Sequence, residues 1–280
     1  MLFRAFYALP SKIVGSDGKP VNALLGTANL VLREVEAHRP RAIVLCFGPD
    51  AAHYRTELYP AYHEKREEEM PDELAPQFGK SREFFEAFNW TVASSENLEA
   101  DDLLGTYARR EAEAGGQALI LTGDRDMYQC ADDGVTVLYV RTGGKGAEKV
   151  GPEEVRERYG IGPELVPDFI ALRGDPADGL PGAKGVGPKT AAELLKKHGS
   201  LEAILDGAIR EQRPKLRAAL IEGREDLLVF KDIATLRDAG VERPPDAPTD
   251  WAGAAAAARE RGMKKLAERL ETAGPGRGSA

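Results

Sequence analysis

The stretch QALILTGDRD, residues 117–126, joins a short apolar run to two acids that follow it immediately. An apolar run of this length, bounded by turn residues, is typical of a buried strand. A helical pattern from about Glu99 to Ala114 precedes the run, and Gly115 suits the end of a helix. A helix followed by a buried strand indicates the repeating unit of an α/β domain.

The same alternation continues on both sides of this unit. RAIVLCF at residues 41–47 and VTVLYV at residues 135–140 predict two further strands, and residues 21–37 repeat apolar side chains at helical spacing. Strands that alternate with helices favour an α/β fold whose central, mostly parallel sheet is flanked by helices. We expect this core to occupy residues 1–150.

Beyond residue 150, short helical patterns follow one another without a convincing strand. Residues 151–240 are therefore predicted to form a helical region. Residues 241–280 are predicted to hold one amphipathic helix, at about 251–272, and a flexible tail.

The composition is that of an ordinary soluble globular protein, since 42% of the 280 residues are hydrophobic and 30% are charged. No apolar run reaches the roughly 18 residues that a membrane span needs, and residues 1–12 lack the layout of a signal peptide. Cys46 and Cys130 form no CxxC pair and the histidines are scattered, so a zinc site is not expected. We expect a cytoplasmic, monomeric protein.

Paired acids occur at three places in the sequence. The first set opens the helix that begins near residue 99, where the helix dipole alone would also favour acids. The second set follows the strand at 117–122, at a strand end where α/β sheets bind ligands, although Asp-rich turns are common. The third set lies at the end of a helix, where the dipole disfavours acids and a divalent cation would explain them better. The seven carboxylates are Glu99, Asp101, Asp102, Asp124, Asp126, Asp175 and Asp178.

A donor set made only of carboxylates predicts a hard cation, Mg²⁺ or Mn²⁺. Seven acids exceed what one ion needs, and two ions about 4 Å apart are the usual arrangement for phosphodiester cleavage. One ion would activate a water molecule and the other would stabilise the leaving oxygen. The formal net charge is −8, and without these acids it is close to zero, so the remaining surface can carry basic patches.

The stretch PGAKGVGPKTAAELLKKHG, residues 181–199, predicts a glycine-rich turn that leads into a well-capped helix. A tight turn is a sufficient structural reason for the glycines, but backbone N–H groups at a helix start also bind anions. Lys184 and Lys189 flank the turn and would add positive charge. A backbone phosphate of a nucleic acid duplex fits such a site, and binding should be independent of base sequence.

The motifs E-A-D-D, T-x-D-x-D and G-D-x-x-D-x-x-P-G-x-x-G-[IV]-G-x-K-T, in this order, resemble the bacterial and phage 5′ nuclease family. Its members include the 5′→3′ exonuclease domain of DNA polymerase I and stand-alone flap endonucleases. The likeness covers about residues 2–240. It implies a PIN-like 5′ nuclease fold and a structure-specific nuclease that hydrolyses branched or nicked DNA in replication and repair. A DNA polymerase or ligase would be its protein partner, and the bacterial nucleoid its location.

The resemblance also implies roles for individual residues. A helix-three-turn-helix element, at about 182–199, would bind duplex DNA and a K⁺ ion. Its DNA contacts would be Lys184, Gly185, Gly187, Lys189 and Thr190. The first metal region would be Glu99, Asp101, Asp124 and Asp126, and the second would be Asp175 and Asp178, with Asp102 beside them.

Residues 53–77 take the place of the helical arch that, in this family, passes the 5′ single strand over the active site. The matching arch positions contact the scissile phosphate and the 5′ strand, and a further arginine lies near the threading gateway. The resemblance assigns catalytic roles to Arg4, Arg55 and Arg66 and DNA contacts to Tyr62 and Lys65.

The sequence departs from the family at several points. Family members begin with a strand that ends in Asp-Gly, whereas this sequence begins at Met1, so we expect that the natural start lies upstream or that the chain was truncated. Gly48 stands where the family has an Asp, and His63 replaces the arch lysine. Two other functions therefore stay open, a non-catalytic DNA-junction binding protein and a PIN-type ribonuclease. The glycine turn argues against the ribonuclease, because PIN domains lack that duplex-binding element.

Overall fold

The computed structural model of the chain describes residues 1–64, 70–141 and 146–274, which divide into two compact units. Unit 1 combines residues 1–46, 70–93 and 244–274. Unit 2 combines residues 47–64, 94–141 and 146–243, and all seven predicted metal ligands belong to it.

The described residues form helices and five short strands. The helices are α1 (Leu2–Ala8), α2 (Asn22–His38), α3 (His53–Leu58), α4 (Ala75–Glu86), α5 (Ala100–Glu113), α6 (Pro152–Tyr159), α7 (Val166–Arg173), α8 (Pro188–His198), α9 (Leu201–Gly207), α10 (Pro214–Glu222), α11 (Arg224–Ala234), α12 (Trp251–Glu260) and α13 (Lys264–Ala273). The strands are β1 (Val44–Phe47), β2 (Thr91–Ser94), β3 (Ala118–Thr122), β4 (Val135–Val140) and β5 (Ala147–Val150). Short 3₁₀ helices lie at Asp126–Cys130, Pro163–Leu165 and Ala208–Arg210. No helix within these ranges is long and apolar enough to cross a membrane.

The predicted α/β class is confirmed, and the three strands predicted from apolar runs are β1, β3 and β4. The sequence does not predict β2, TVAS, or β5, AEKV, because each has four residues and carries polar or charged side chains. In the described residues the predicted central sheet is divided into a two-stranded sheet, β1–β2, and a three-stranded sheet, β3–β4–β5. Strands β3 and β4 are parallel, and β5 adds an antiparallel edge.

Unit 1 is built around helix α2, whose N-terminal end is held by buried polar groups. The Asn22 side-chain amide donates to the carbonyl oxygens of Phe6 and Leu9 at 2.9 Å each. The Gln77 side-chain oxygen accepts from the backbone N–H of Ala23 at 2.8 Å. The first two bonds satisfy carbonyl groups at the C-terminal end of α1, and the third satisfies an N–H group that the start of α2 would leave unpaired.

The C-terminal part of unit 1 differs from the prediction of one helix at about 251–272. Two helices, α12 and α13, occupy this region. Gly262 lies between them with φ of +76°, and a Cβ there would lie 2.6 Å from the backbone nitrogen of Ser16. The chain therefore breaks at a position where only glycine fits.

Helices α6 to α11 follow one another between Pro152 and Ala234, with α7 at their centre. Every residue of α7 from Val166 to Leu172 is buried. The carboxylate of Asp168 accepts from the backbone N–H of Leu201 at 2.6 Å and from Lys231 Nζ at 3.0 Å. Because α7 leads directly to Asp175, this packing fixes the position of the third acid pair.

Candidate functional site

Asp124 and Asp126 lie in a tight turn directly after β3. The backbone N–H of Asp124 donates to Thr122 Oγ1 at 3.0 Å, and the backbone N–H of Asp126 donates to Asp124 Oδ1 at 2.9 Å. The 3₁₀ helix that follows begins at Asp126. The turn therefore holds both acids at the carboxyl end of a parallel strand, where α/β domains bind ligands.

Asp175 and Asp178 lie in a second small turn, after α7. Gly174 has φ of +78°, and a Cβ there would lie 2.7 Å from the carbonyl oxygen of Leu180, so the position requires glycine. Asp175 and Leu180 exchange two backbone hydrogen bonds of 2.8 Å, and Asp175 Oδ1 accepts from the Ala177 N–H at 2.9 Å. This closed turn keeps both carboxylates close to the end of α7.

Glu99, Asp101 and Asp102 open helix α5, and two of them cap it. Glu99 is the N-cap residue, and its backbone N–H donates to Asp102 Oδ2 at 3.1 Å, which completes a capping box. Asp101 is half-buried and takes no part in the capping box. A helix-start role therefore explains Glu99 and Asp102, whereas Asp101 needs another explanation.

The three acid groups act on one another electrostatically. Burial, followed by the charge of Asp124, raises the pKa of Asp101 to about 7. Burial, followed by the charges of Asp124, Asp178 and Asp175, raises the pKa of Asp126 well above its ordinary value. Because such effects fall off with distance, acids from all three motifs lie near one another in the folded chain.

Asp101 and Asp126 differ from the other acids of the set in having no direct partner among the described residues. Within the described ranges, neither carboxylate accepts a hydrogen bond or forms an ion pair. No group of three or more His, Cys, Asp or Glu side chains in those ranges lies in an arrangement that could hold a metal ion. The chemistry of the donor set, which consists only of carboxylate oxygens, is nevertheless of the kind that a hard divalent cation prefers.

Arg55 lies inside the protein and pairs with two acids, whereas the resemblance assigns it to the scissile phosphate. It is 3% exposed, and its guanidinium donates to both oxygens of Asp102 at 2.9 and 3.0 Å. It also lies 3.1 Å from Glu99 Oε2 and donates through Nε to the carbonyl of Ile233 at 3.0 Å. Fully buried Asp102 accepts in addition from the Arg237 N–H at 2.8 Å. This arrangement gives Arg55 and Asp102 a structural role, so we leave both out of the proposed reaction.

Tyr62 and His63 also turn towards the acids. Tyr62 is buried, its hydroxyl donates to Glu99 Oε2 at 3.2 Å, and its ring stacks on His63 with 4.0 Å between centroids. The backbone N–H of His63 donates to the carbonyl of Asp178 at 3.1 Å, and its Nε2 lies 3.3 Å from Asp178 Oδ1. His63 has φ of +58°, which is uncommon for a residue with a side chain. These two residues therefore connect the first acid group to the third.

Arg173 is a charged neighbour of the acids that the sequence does not single out. Its Nη2 lies 3.0 Å from Asp175 Oδ2, and its charge opposes the rise in the pKa of Asp126. The sequence offers one signal for it, the position two residues before Asp175 at the end of α7.

Gly48, where the resemblance expects an Asp, lies against the backbone that enters α5. A Cβ at this position would lie 2.4 Å from the carbonyl oxygen of Leu98 and 2.7 Å from the nitrogen of Ala100. Even an alanine would displace this backbone. A carboxylate side chain therefore does not fit at this position as the chain is packed.

The glycine-rich turn before α8 is open to solvent on one side. Gly185 has φ of +79°, and a Cβ built on it or on Gly187 would meet no atom within 4 Å. Lys184 and Lys189 are exposed, and Thr190 is half-buried in the first turn of α8. Gly187 is the N-cap of α8 and Pro188 follows it, so the open side of the turn lies beside the start of a helix, where unpaired N–H groups favour anions.

Three further residues have roles predicted from the resemblance. Arg4 is half-buried on helix α1 of unit 1. Lys65 and Arg66 lie outside the described residues.

Two family models match the chain. The 5′-3′ exonuclease N-terminal resolvase-like domain matches residues 1–160. The 5′-3′ exonuclease C-terminal SAM fold matches residues 161–248. Together the two matches extend over all seven acids and the glycine-rich turn.

Individual relatives agree with these matches. A 5′-3′ exonuclease of Streptomyces coelicolor is 36% identical over 294 residues, which cover 97% of this chain and 96% of the relative. DNA polymerase I of Mycobacterium bovis is 38% identical over 248 residues, which cover 88% of this chain but 27% of the polymerase. The bacteriophage T5 flap endonuclease, solved in a complex with DNA and metal ions, aligns with a TM-score of 0.64 at 17% identity. That alignment covers 89% of this chain and 90% of the T5 chain and shows a common fold.

Proposed function

The chain belongs to the 5′-3′ exonuclease family, and from this premise we propose that it is a metal-dependent 5′ nuclease acting on branched or nicked DNA. The observation that carries the proposal is the electrostatic coupling of Asp101 and Asp126 to acids of the other motifs. Within the described residues neither of these two carboxylates forms an ion pair. The glycine-rich turn lies in the same compact unit and could hold a phosphate of the substrate.

The carboxylates supply the negative charge of the metal centre. Asp101, Asp124 and Asp126 would hold one ion, and Asp175 and Asp178 would hold a second. When bound, Mg²⁺ or Mn²⁺ would lower the pKa of an attacking water molecule and stabilise the leaving oxygen. Burial of the acids keeps their charge poorly screened, which strengthens the attraction for a cation.

The glycine-rich turn would position the duplex. Lys184 and Lys189 would contact backbone phosphates, and the N–H groups of Gly185 and Gly187 would donate to phosphate oxygens. A K⁺ ion bound at this turn would add positive charge. Because no base edge is contacted, binding would not depend on sequence. Removal of a 5′ flap leaves a nick, so a DNA ligase or polymerase would act on the product.

Two observations favour a second candidate, a non-catalytic DNA-junction binding protein. Gly48 leaves no room for the acid that the family has there. Arg55 is turned inward to Asp102 and does not face a substrate. The exposed glycine-rich turn would keep duplex binding in this case as well. A PIN-type ribonuclease is less well supported, because PIN domains lack a duplex-binding turn of this kind.

A cleavage assay separates the three functions. The full chain is incubated with a 5′-labelled flap DNA in Mg²⁺, in Mn²⁺ and in EDTA, with a duplex RNA as parallel substrate and Asp126→Asn as control. Metal-dependent release of the flap by the wild type alone supports the nuclease. Flap binding without cleavage in either metal supports the junction-binding protein, and cleavage restricted to RNA supports the ribonuclease.

A further inference from the structure

Arg173 is a cation fixed among the carboxylates of the proposed metal centre. It is the last residue of α7, its side chain is 24% exposed, and its guanidinium lies 5.4 Å from the centre of the Phe169 ring. The negative end of the helix dipole and the aromatic face both favour a cation at this position. The charge is therefore held in place by features other than its acidic partner.

Both oxygens of Asp175 are already in use. Oδ2 accepts from Arg173 Nη2 at 3.0 Å, and Oδ1 accepts from the backbone N–H of Ala177 at 2.9 Å. Any cation that uses Asp175 as a ligand must compete with these donors. Of the two, only Arg173 carries a charge that would repel the cation.

Arg173 is therefore the direct counter-charge of one carboxylate of the cluster. Its removal would leave Asp175 without a cationic partner and the metal-free cluster more strongly self-repelling.

The pairing with Asp175 leaves the guanidinium incompletely satisfied. Arg173 Nε is buried and has no hydrogen-bond partner within the described residues. A buried donor without an acceptor is unfavourable, and the planar fork of arginine is suited to two parallel bonds, of which Asp175 receives one. This geometry favours an exchangeable contact over a permanent one.

We propose that Arg173 is a positioning residue that serves as the built-in counter-charge of the acid cluster and competes with a divalent cation for Asp175. The inference rests on the proposed function. In the metal-free chain, Arg173 holds the Asp175 carboxylate and reduces repulsion among the acids. Arg173 would release Asp175 Oδ2 to a cation that takes this carboxylate as a ligand. The residue thereby sets how tightly this side of the centre binds its ion.

Calorimetric titration of the DNA-free, EDTA-treated full chain with Mn²⁺ tests the inference without any activity readout. The variants are Arg173→Met, which keeps an apolar stem over Phe169, and Arg173→Lys, which keeps the charge. Arg158→Met is the matched control. Arg158 is 25% exposed, lies 5.4 Å from the Tyr128 ring centre and pairs with Glu148, which is not an acid of the cluster.

Arg173→Met should tighten Mn²⁺ binding about threefold or more, because a partly exposed repelling charge is lost. In EDTA the same variant should have a lower Tm than the wild type. When Mn²⁺ is added, its Tm should rise by more than that of the wild type. Arg173→Lys and Arg158→Met should bind Mn²⁺ as the wild type does. Equal or weaker Mn²⁺ binding by Arg173→Met would overturn the inference.

Two further results distinguish this inference from the proposed function. If the wild-type chain binds no Mn²⁺, the proposed metal centre fails, and with it the nuclease. If the wild type binds Mn²⁺ and Arg173→Met binds it identically, only the counter-charge role fails. Should Arg173→Met not fold, Arg173→Gln in the same titration decides by the same criterion.

Discussion

Arg55 donates hydrogen bonds to both carboxylate oxygens of Asp102, at 2.9 and 3.0 Å, and both side chains are buried. Arg55 lies on α3, at the start of the predicted arch, and Asp102 lies in the first turn of α5. The pair therefore connects the arch segment to the helix that carries the first acids. In a buried ion pair, the loss of one partner leaves the other charge uncompensated.

Replacement of Arg55 by Met should destabilise the metal-free chain by about 3–5 kcal/mol, because Asp102 would stay buried without its cation. Urea denaturation in EDTA measures the loss. The double variant Arg55→Met/Asp102→Asn should recover much of it, since the amide keeps an acceptor for the Arg237 N–H without a charge. A loss below about 1 kcal/mol, the range of exposed ion pairs, would contradict the structural role.

The stability of the metal-free chain should fall as the pH rises through the window set by Asp101. The pKa of this carboxyl is raised from 3.8 to about 7. Between these values the folded chain holds a proton that the unfolded chain has lost, so the free energy of unfolding decreases with rising pH. The loss of folding stability is absent below pH 3.8 and complete above about pH 7. Asp126 contributes in the same direction.

Asp101→Asn isolates this contribution. Because the amide does not titrate in this range, the variant should show a flatter dependence of Tm on pH in EDTA and a higher Tm near pH 8. Exposed Asp133, changed to Asn, is the control and should leave the slope unchanged. Parallel curves for wild type and Asp101→Asn would mean that Asp101 titrates normally.

Asp126→Asn should reduce flap cleavage by at least about a hundredfold, because a metal ligand contributes several kcal/mol to the stabilisation of the transition state. Flap binding should persist, since the glycine-rich turn is untouched. In EDTA the variant should be as stable as the wild type or more stable, because one repelling charge has been removed. Single-turnover kinetics and a binding titration measure the two effects separately. Near wild-type cleavage would falsify the assignment of Asp126 to the metal centre.

Much of the site's chemistry could be predicted from the sequence because it is local. The turn after β3 places Asp124 and Asp126 by hydrogen bonds between residues two apart, and an apolar run marks the strand before it. Asp175 is likewise fixed within a closed turn of six residues, from Asp175 to Leu180. Contacts between residues this close in sequence can be predicted from the amino-acid sequence.

The partners of the acids could not be predicted, because they come from distant parts of the chain. Arg55 and Asp102 are 47 residues apart, and His63 and Asp178 are 115 apart. An arginine and a tyrosine near an arch suggest contacts with DNA until the fold shows that both are buried. The close approach at Gly48 likewise depends on the backbone at Leu98, which no local pattern reveals.

The glycine-rich turn gives the last prediction. Lys184 and Lys189 are exposed on the open side of the turn, so each should release about one counterion equivalent on binding duplex DNA. Replacement of either by Ala should weaken binding to the same degree for all sequences and reduce the slope of log K against log salt by about one. Lys215→Ala, an exposed lysine on α10, is the control and should leave the slope unchanged. If the slopes of Lys184→Ala and Lys189→Ala match that of the control, the turn serves only to cap α8, and the duplex must be held by another surface.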